Sequence, residues 1–511
     1  MDATRPTYIE TLVEGLAAAG SATVLRHAGR DVAASALLAA INRHARALAD
    51  IGIGRGSLLA LFAPNRPEAL AIRYAANLLG AATVFLSAPP AAGDRASLLA
   101  QMDPNLLVVF AETAALVPPG TSLPLATVGV EIDGALPLDR CAAAQSDAPV
   151  PCAARPSDMG VIVSSGGTTG VPHGSWRDFA AYTAMVAVPS PTSRRQLVNG
   201  RLAYLSQVLV DTTLLGGGTV ILRDGCDPAD TLATIERERI TDLFLVEPQL
   251  FALMDHPEVA RRDLSSLRQV VHVGASAPPR LRRRARERLG PVVAHTYGAS
   301  DMGLVSLLRP AEHDPADPAS FASAGHVLPG VELRLRRDDG TPASPGEPGR
   351  IEIRSPAMAN GYRNRPDDER ATFRDGWFRS GDVGLLDAKA RLHVLGRAAD
   401  IEHVDGVPLT PTMIEDALCR QPDLRYAVVV PDPATGLRVA AVLAWPGRAL
   451  DAAGCRAALR GGPAEAAAAD LVVLPLEALP LSEQGKPDRA AILRRARALG
   501  LLAGRPGSGR S

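Results

Sequence analysis

Val161-Ile162-Val163-Ser164-Ser165-Gly166-Gly167-Thr168-Thr169-Gly170-Val171-Pro172-His173-Gly174 is a β-branched strand that runs straight into a glycine-rich loop. Glycines let backbone N–H groups converge on an anion, and the paired threonines add donors without charge. That chemistry suits a polyphosphate. It is not a Walker A loop, because the place five residues after Gly166 holds Val171 where that pattern needs Gly-Lys-Ser/Thr. No G-x-G-x-x-G occurs in it, which excludes the dinucleotide fingerprint. Taken alone, the loop stays open between a phosphate site and an ordinary flexible turn.

Outward from the loop, strand-like and helical patterns alternate. Residues 8–19 and 35–51 carry apolar positions at helical spacing, and Leu58–Phe62, Ala82–Leu86 and Leu106–Phe110 are short apolar runs. Leu243–Val246 and Gln269–Val273 read as buried strands. The alternation predicts α/β layering with parallel strands. Residues 141–157 read as an exposed connection. The Arg280–Arg288 stretch reads as a helix with a solvated basic face. From about residue 325 the texture becomes half-buried antiparallel strand with turns. Beyond Asp400 a compact mixed unit follows, ending in a Gly/Arg/Ser-rich tail.

Composition bounds the answer. The 511 residues suggest a soft count of about three core-forming units. Hydrophobic residues at 47% and charged residues at 21% exclude a mostly disordered chain, and aromatics at 4% leave the core to Ala, Leu and Val. Lys+Arg of 54 against Asp+Glu of 55 gives a net charge of −1, so no nucleic-acid partner is called for. Cys141, Cys152, Cys226, Cys419 and Cys455 show no C-x-x-C spacing, against a disulfide framework or structural zinc. No run is long enough to span a membrane and no secretory segment is read at Met1–Pro6, so the expectation is a cytoplasmic protein.

Further motifs follow in order. They are His295-Thr296-Tyr297-Gly298-Ala299-Ser300-Asp301, then Gly361-Tyr362, then Gly376-Trp377-Phe378-Arg379-Ser380-Gly381-Asp382. Gly396-Arg397 with Asp400 and Gly406 comes next, and Leu479-Pro480-Leu481-Ser482-Glu483-Gln484-Gly485-Lys486-Pro487-Asp488-Arg489 closes the series. Together with residues 164–174, this ordered set resembles the adenylate-forming superfamily of acyl- and aryl-CoA synthetases, peptide-synthetase adenylation domains and luciferases. The resemblance covers nearly the whole chain.

It implies an α/β fold: a large N-terminal domain, 1–396, of two α/β subdomains plus a β-rich one, and a small mobile α+β C-terminal domain, 397–505, that carries the catalytic lysine. It implies ATP-dependent activation of a small-molecule carboxylic acid as an acyl-adenylate, with pyrophosphate release and transfer to CoA. Mg²⁺ would be held by Asp301. Ser165, Gly166, Gly167, Thr168, Thr169 and Gly170 would hold phosphates, with Thr169 counted as catalytic. Gly274, Ala275 and Ser276 would flank adenine opposite Tyr297, Gly298 and Ser300. Asp382 would accept the ribose hydroxyls and Arg397 would support ribose or phosphate. Lys486 would bridge the attacking carboxylate and the α-phosphate, lowering their repulsion.

Departures from the family pattern keep alternatives open. His173 stands where the loop lysine usually sits, and an imidazole with an ordinary pKa near ~6.5 is mostly neutral at pH 7. Tyr204 stands where related CoA ligases carry a histidine. Ala399 replaces the charged hinge residue, and His403 replaces a lysine in the following segment. The expectation is intact adenylation with a thioester step that is impaired or diverted. The acceptor could be an amine or a carrier-protein thiol, or a second enzyme could take over that step. A luciferase-like oxygenase shares the same motifs. A degenerate member that binds nucleotide or acyl ligand without turnover is the alternative from another class.

Overall fold

The structure, a computed structural model, describes residues 6–89, 91–164, 174–273, 277–404 and 406–502. Among these residues, two large sheets and one smaller antiparallel sheet make up the N-terminal region. The first large sheet runs, edge to edge, Gly361–Tyr362, Gly174–Asp178, Met159–Ser164, Ala82–Phe85, Leu58–Phe62, Leu106–Phe110, Leu125–Val128, Leu136–Pro137. Its interior pairs are parallel, and the strand leading into the glycine loop turns back antiparallel as Gly174–Asp178. The second places Gln269–Val273 between Asp242–Val246 and Val293–Ala299, all parallel, with antiparallel partners beyond Val293–Ala299. The expected parallel layering is present.

Helices fill the space between these sheets. The Pro67–Leu78 helix opens with Pro at its first position, where no N–H is needed, and Ala69–Leu78 are all buried. A helix apolar on nearly every side belongs inside. It packs in one core with Tyr8, Leu12, Leu37 and Ile41, with Leu59 and Val108 of the first sheet, and with Leu25 and Val220 of the second. The polar members of this core are paired. Asp211 accepts from Arg73 Nη1 at 2.9 and 2.8 Å, from Tyr74 at 2.5 Å and from Tyr182 at 2.6 Å.

The antiparallel sheet joins Glu332–Arg336, Gly349–Arg354, Trp377–Leu386, Phe373–Arg374 and Leu392–Arg397. After it come the Glu402–Val404/Val407–Leu409 hairpin, the Pro411–Leu418 helix and a sheet of Leu424–Pro431, Arg438–Ala444 and Leu471–Pro475. One face of this last sheet packs with Ile414, Leu418 and Leu459. The other joins the core of the second large sheet, where Phe251 and Tyr426 stack at 3.9 Å. The helix Arg489–Ala498, which the sequence reading missed, covers that face through Ile492 and Ala496.

Two expectations are qualified. The 141–157 stretch is not connection throughout, because Leu138–Ala143 is helical and Ala142 is buried. The basic helix, Pro279–Leu289, keeps the expected solvated face, with Arg280, Arg283, Glu287 and Arg288 exposed, but not all of its arginines lie there. Arg282 is buried and donates to the Ser323 carbonyl at 2.7 Å, and Arg284 donates to Asp255 at 2.9 Å and to the Arg425 carbonyl at 2.7 Å. The Arg280 N–H donates to Asp416 at 2.8 Å. The reason is tertiary: the C-terminal sheet and the 318–323 segment pack on this helix, so Arg282 and Arg284 become fasteners. All five cysteines are free thiols, and no described helix is long and apolar enough to cross a membrane.

Candidate active site

The glycine loop is carried by a hairpin whose two ends are paired, Ser164 with Gly174. A Cβ on Gly174 would lie 2.5 Å from Ile162 Cγ2, so the return strand needs a glycine at that point. Ser165, Gly166, Gly167, Thr168, Thr169, Gly170 and His173 lie outside the described residues, as do Gly274, Ala275 and Ser276. The flanks are nonetheless tied to the next motif. Ser300 Oγ donates to the Ser164 carbonyl at 3.4 Å. The Ser300 carbonyl accepts from Arg177 Nη2 at 2.6 Å and from Ser175 Oγ at 3.3 Å. The Asp301 carbonyl accepts from Ala359 N–H at 2.8 Å. Arg177 is wholly buried, and burial lowers its guanidinium to about 10, with the Asp301 charge opposing that fall. The half-buried Asp301 is thus fixed beside the hairpin that carries the loop. Gly298 also fits its place by size, since a Cβ would lie 2.5 Å from the Gly303 carbonyl.

Tyr297, Asp382 and Arg397 form one cluster. The Tyr297 hydroxyl donates to Asp382 Oδ2 at 2.5 Å. Arg397 Nε stands 3.2 Å from Asp382 Oδ1, and Arg397 Nη1 donates to the Ser380 carbonyl at 2.7 Å. Register explains the contact: Asp382 and Arg397 are direct partners across antiparallel strands. Burial pushes the Asp382 carboxyl up, and Arg397 and Tyr297 pull it back toward the ionised form. A carboxylate accepts only, so Asp382 keeps lone pairs for hydroxyl donors.

Lys486 sits in a closed turn. Ser482 N–H donates to the Lys486 carbonyl at 2.7 Å and Gly485 N–H to the Ser482 carbonyl at 2.8 Å. Gly485 has φ +78°, and a Cβ there would come within 2.9 Å of Gln249 Nε2, so only glycine lets the turn lie against the N-terminal region. Burial lowers the Lys486 ammonium below its usual value, and the positive Arg397 adds to the effect. Among the described residues Lys486 makes no salt bridge. Lys486 and Lys389 are the two lysines of the chain.

The structure therefore leaves Lys486 within reach of the Arg397 charge, on a turn set against Gln249, and ties Asp301 to the loop hairpin. Residues the sequence reading did not single out also converge here. Glu483 accepts from the Ala88 N–H, and Tyr204, noted above only as standing in place of a histidine, donates to it. The hinge position Ala399 lies in a short 3₁₀ turn, Ala398–Asp400, and the next residue, Asp400, pairs with Arg489. His403 is exposed.

Two α/β sheets, a β-rich sheet and a small α+β unit that reaches back to the site with a lysine turn are the frame of an adenylate-forming enzyme. The chain belongs to the AMP-binding enzyme family, whose model matches residues 14–363. It is 31% identical over 482 residues to the medium/long-chain-fatty-acid–CoA ligase FadD8 of Mycobacterium tuberculosis (strain ATCC 25618 / H37Rv), covering 88% of this chain and 83% of that one. It is 31% identical over 480 residues to the indoleacetate–CoA ligase of Aromatoleum aromaticum, covering 91% and 93%. Among solved structures, the amide bond synthetase McbA from Marinactinospora thermotolerans matches with TM-score 0.83 and 29% identity over 95% of this chain and 99% of that one. The enzyme class is that of AMP-forming acid ligases.

Proposed function

We propose that this enzyme joins a carboxylic acid to the α-phosphate of ATP, releases pyrophosphate, and passes the acyl group to CoA. The observation that carries the reading is the Tyr297–Asp382–Arg397 cluster together with a half-buried Lys486 that feels the Arg397 charge. Two anions must approach each other in the first step, and the half-buried Lys486 ammonium offsets their repulsion where water screens little. Asp382 holds hydroxyls of the ribose, oriented by Tyr297 and Arg397. The glycine loop, Ser165–Gly170, takes the phosphates, with Thr169 and its neighbours as donors. Gly274, Ala275 and Ser276 flank the base opposite Tyr297. The division of labour places residues 1–396 as the binding body and 397–505 as the mobile part that delivers Lys486.

Magnesium fits this arrangement in one way. The described residues hold no cluster of three or more candidate metal ligands, and Asp301, its backbone held by the Ala359 N–H, supplies one carboxylate beside the Ser164–Gly174 hairpin. Mg²⁺ commonly binds through one or two carboxylates together with substrate phosphates, and when bound it supplies charge neutralisation there.

A second reading concerns the acceptor. The extended match to an amide bond synthetase and the uncharged Ala399 favour an amine, or a carrier-protein thiol, in place of CoA. Acid-dependent exchange of labelled pyrophosphate into ATP tests the first step across aryl, indoleacetic and fatty acids. At least one acid should support exchange, and Lys486→Ala should lower it by about 10²–10³-fold with ATP binding retained. No exchange with any acid, with ATP still bound, overturns the activation reading. Product analysis with CoA and with amines then assigns the acceptor.

A further inference from the structure

Glu483 precedes Lys486 by three residues, and its carboxylate is a meeting point for groups far away in sequence. The Ala88 N–H donates to both carboxylate oxygens, at 2.9 and 2.8 Å. The Tyr204 hydroxyl donates to Oε2 at 3.2 Å, and Arg201 Nε lies 3.1 Å from Oε1. The Glu483 side chain is 17% exposed, so this is a largely desolvated contact. Charge-assisted hydrogen bonds of this kind are the strong ones, and partial burial reduces screening by salt.

The cradle is built from segments next to the loop hairpin and the Gln207–Leu215 helix. Ala88 lies just past strand Ala82–Phe85, whose neighbour Met159–Ser164 leads into the glycine loop, and Ser164 Oγ donates to the Phe85 carbonyl at 3.2 Å. Tyr204 lies where the irregular turn Leu202–Ser206 breaks helical geometry ahead of the Gln207–Leu215 helix. That break sets Tyr204 facing the Lys486 turn. The turn is itself closed by the Ser482–Lys486 and Gly485–Ser482 hydrogen bonds. Seating Glu483 at one end therefore sets the position of Lys486 at the other.

We propose that Glu483 is a positioning residue for acid activation: seated on Ala88, Tyr204 and Arg201, it holds Lys486 at the site, and this contact must break before the C-terminal part can leave that arrangement. The inference rests on the acid-activation reading above. It separates Glu483 from a merely structural residue, because losing the contact should harm the first half-reaction and spare the second.

The test uses the full chain with Glu483→Gln and Tyr204→Phe. Gln keeps the shape but removes the charge facing Arg201 and one acceptor facing Ala88. Three quantities are measured: amide hydrogen exchange of residues 480–488 without substrates, kcat and KM of pyrophosphate exchange with the best acid, and transfer to CoA from a preformed acyl-adenylate of that acid. For Glu483→Gln, faster amide exchange is expected, with kcat of the first step lower by about tenfold or more, acid KM within about twofold, and transfer unchanged or faster. Tyr204→Phe should move the first two quantities in the same direction by less. Unchanged amide protection, unchanged kcat, or an equal fall in both half-reactions overturns the proposal. If the wild type exchanges pyrophosphate with no acid, the activation reading falls on its own. The amide exchange then decides the seating alone: a rise in Glu483→Gln supports it and no change overturns it.

Discussion

The Arg397 charge acts on the Lys486 ammonium, and this has a consequence for pH. Folding lowers the Lys486 pKa because its ammonium is taken out of water and faces Arg397. The charged form that the proposed chemistry needs is lost as pH rises through that lowered value. The alkaline limb of a kcat profile should therefore lie below the usual lysine range. Arg397→Gln removes the neighbouring charge and should move the limb upward, while burial keeps it below a free lysine. A limb that stays fixed in Arg397→Gln would contradict the coupling. At this scale Tyr297, Asp382, Arg397 and Lys486 were legible, because each sits inside a motif whose order along the chain can be read. Glu483 lay in the last motif too, yet its part was not legible. Its partners, Ala88, Arg201 and Tyr204, come from segments hundreds of residues away, and nothing local marks them as a cradle.

At the scale of elements, the Pro67–Leu78 helix carries a charge into the core between the two sheets, where Arg73 and Asp211 are almost fully buried. Such a pair adds little net stability over apolar packing, but breaking it leaves one charge alone. Asp211→Ala should cost about 3–5 kcal/mol, read as a lower urea midpoint, and should also free the Tyr74 and Tyr182 hydroxyls. Replacing Arg73 and Asp211 together by apolar residues should recover most of that loss. The helix itself is legible as an apolar run opening on Pro67. The Pro279–Leu289 helix was legible as a helix with a solvated basic face, but the arginines it turns inward were not. Arg282 gives the physical reason. Its guanidinium is pulled down to about 9 by burial alone, a state no pattern of six arginines announces. What buries it is the arrival of the 318–323 segment and the packing of the C-terminal unit nearby.

For the whole molecule, the contact between the large and small parts contains its own acid pair. Glu247, at the start of the Glu247–Met254 helix, and Glu415, in the Pro411–Leu418 helix, are both buried, and Tyr426 hydrogen-bonds to Glu247. Burial raises both carboxyls, their mutual repulsion adds to the rise at Glu247, and the Val429 N–H and Arg489 oppose it at Glu415 while Asp400 reinforces it. A carboxyl raised in the docked state binds more protons there than when exposed. Its contribution to docking is complete below the ordinary carboxylate range and is lost as pH rises through the raised values. Amide exchange in strand Leu424–Pro431 should therefore accelerate between mildly acidic and mildly alkaline pH, beyond the intrinsic base dependence. Glu247→Gln with Glu415→Gln should flatten that excess. An excess unchanged in the double variant would count against the pair. The order of α/β units, β-rich unit and small mixed unit was legible as alternation and texture change, but this seam was not, because Glu247 and Glu415 come from segments that only the packed fold brings together.

The scarcity of lysine has a further consequence. An acyl-adenylate is a mixed anhydride, and any that escapes its pocket acylates neutral amines. Guanidinium groups stay protonated and are poor nucleophiles, so a chain that carries its positive charge almost wholly on arginine offers its own reactive product few side-chain targets. Lys389 is held by Asp317 at 2.8 Å on an exposed turn, and Lys486 stands inside the site with a weakened hold on its proton. After prolonged turnover without an acceptor, peptide mass mapping should find lysine adducts concentrated on Lys486. Adducts favouring Lys389 would place the leak in bulk solvent. The enzyme's endurance when its acceptor runs short is then set by one side chain, the same one proposed to start the reaction.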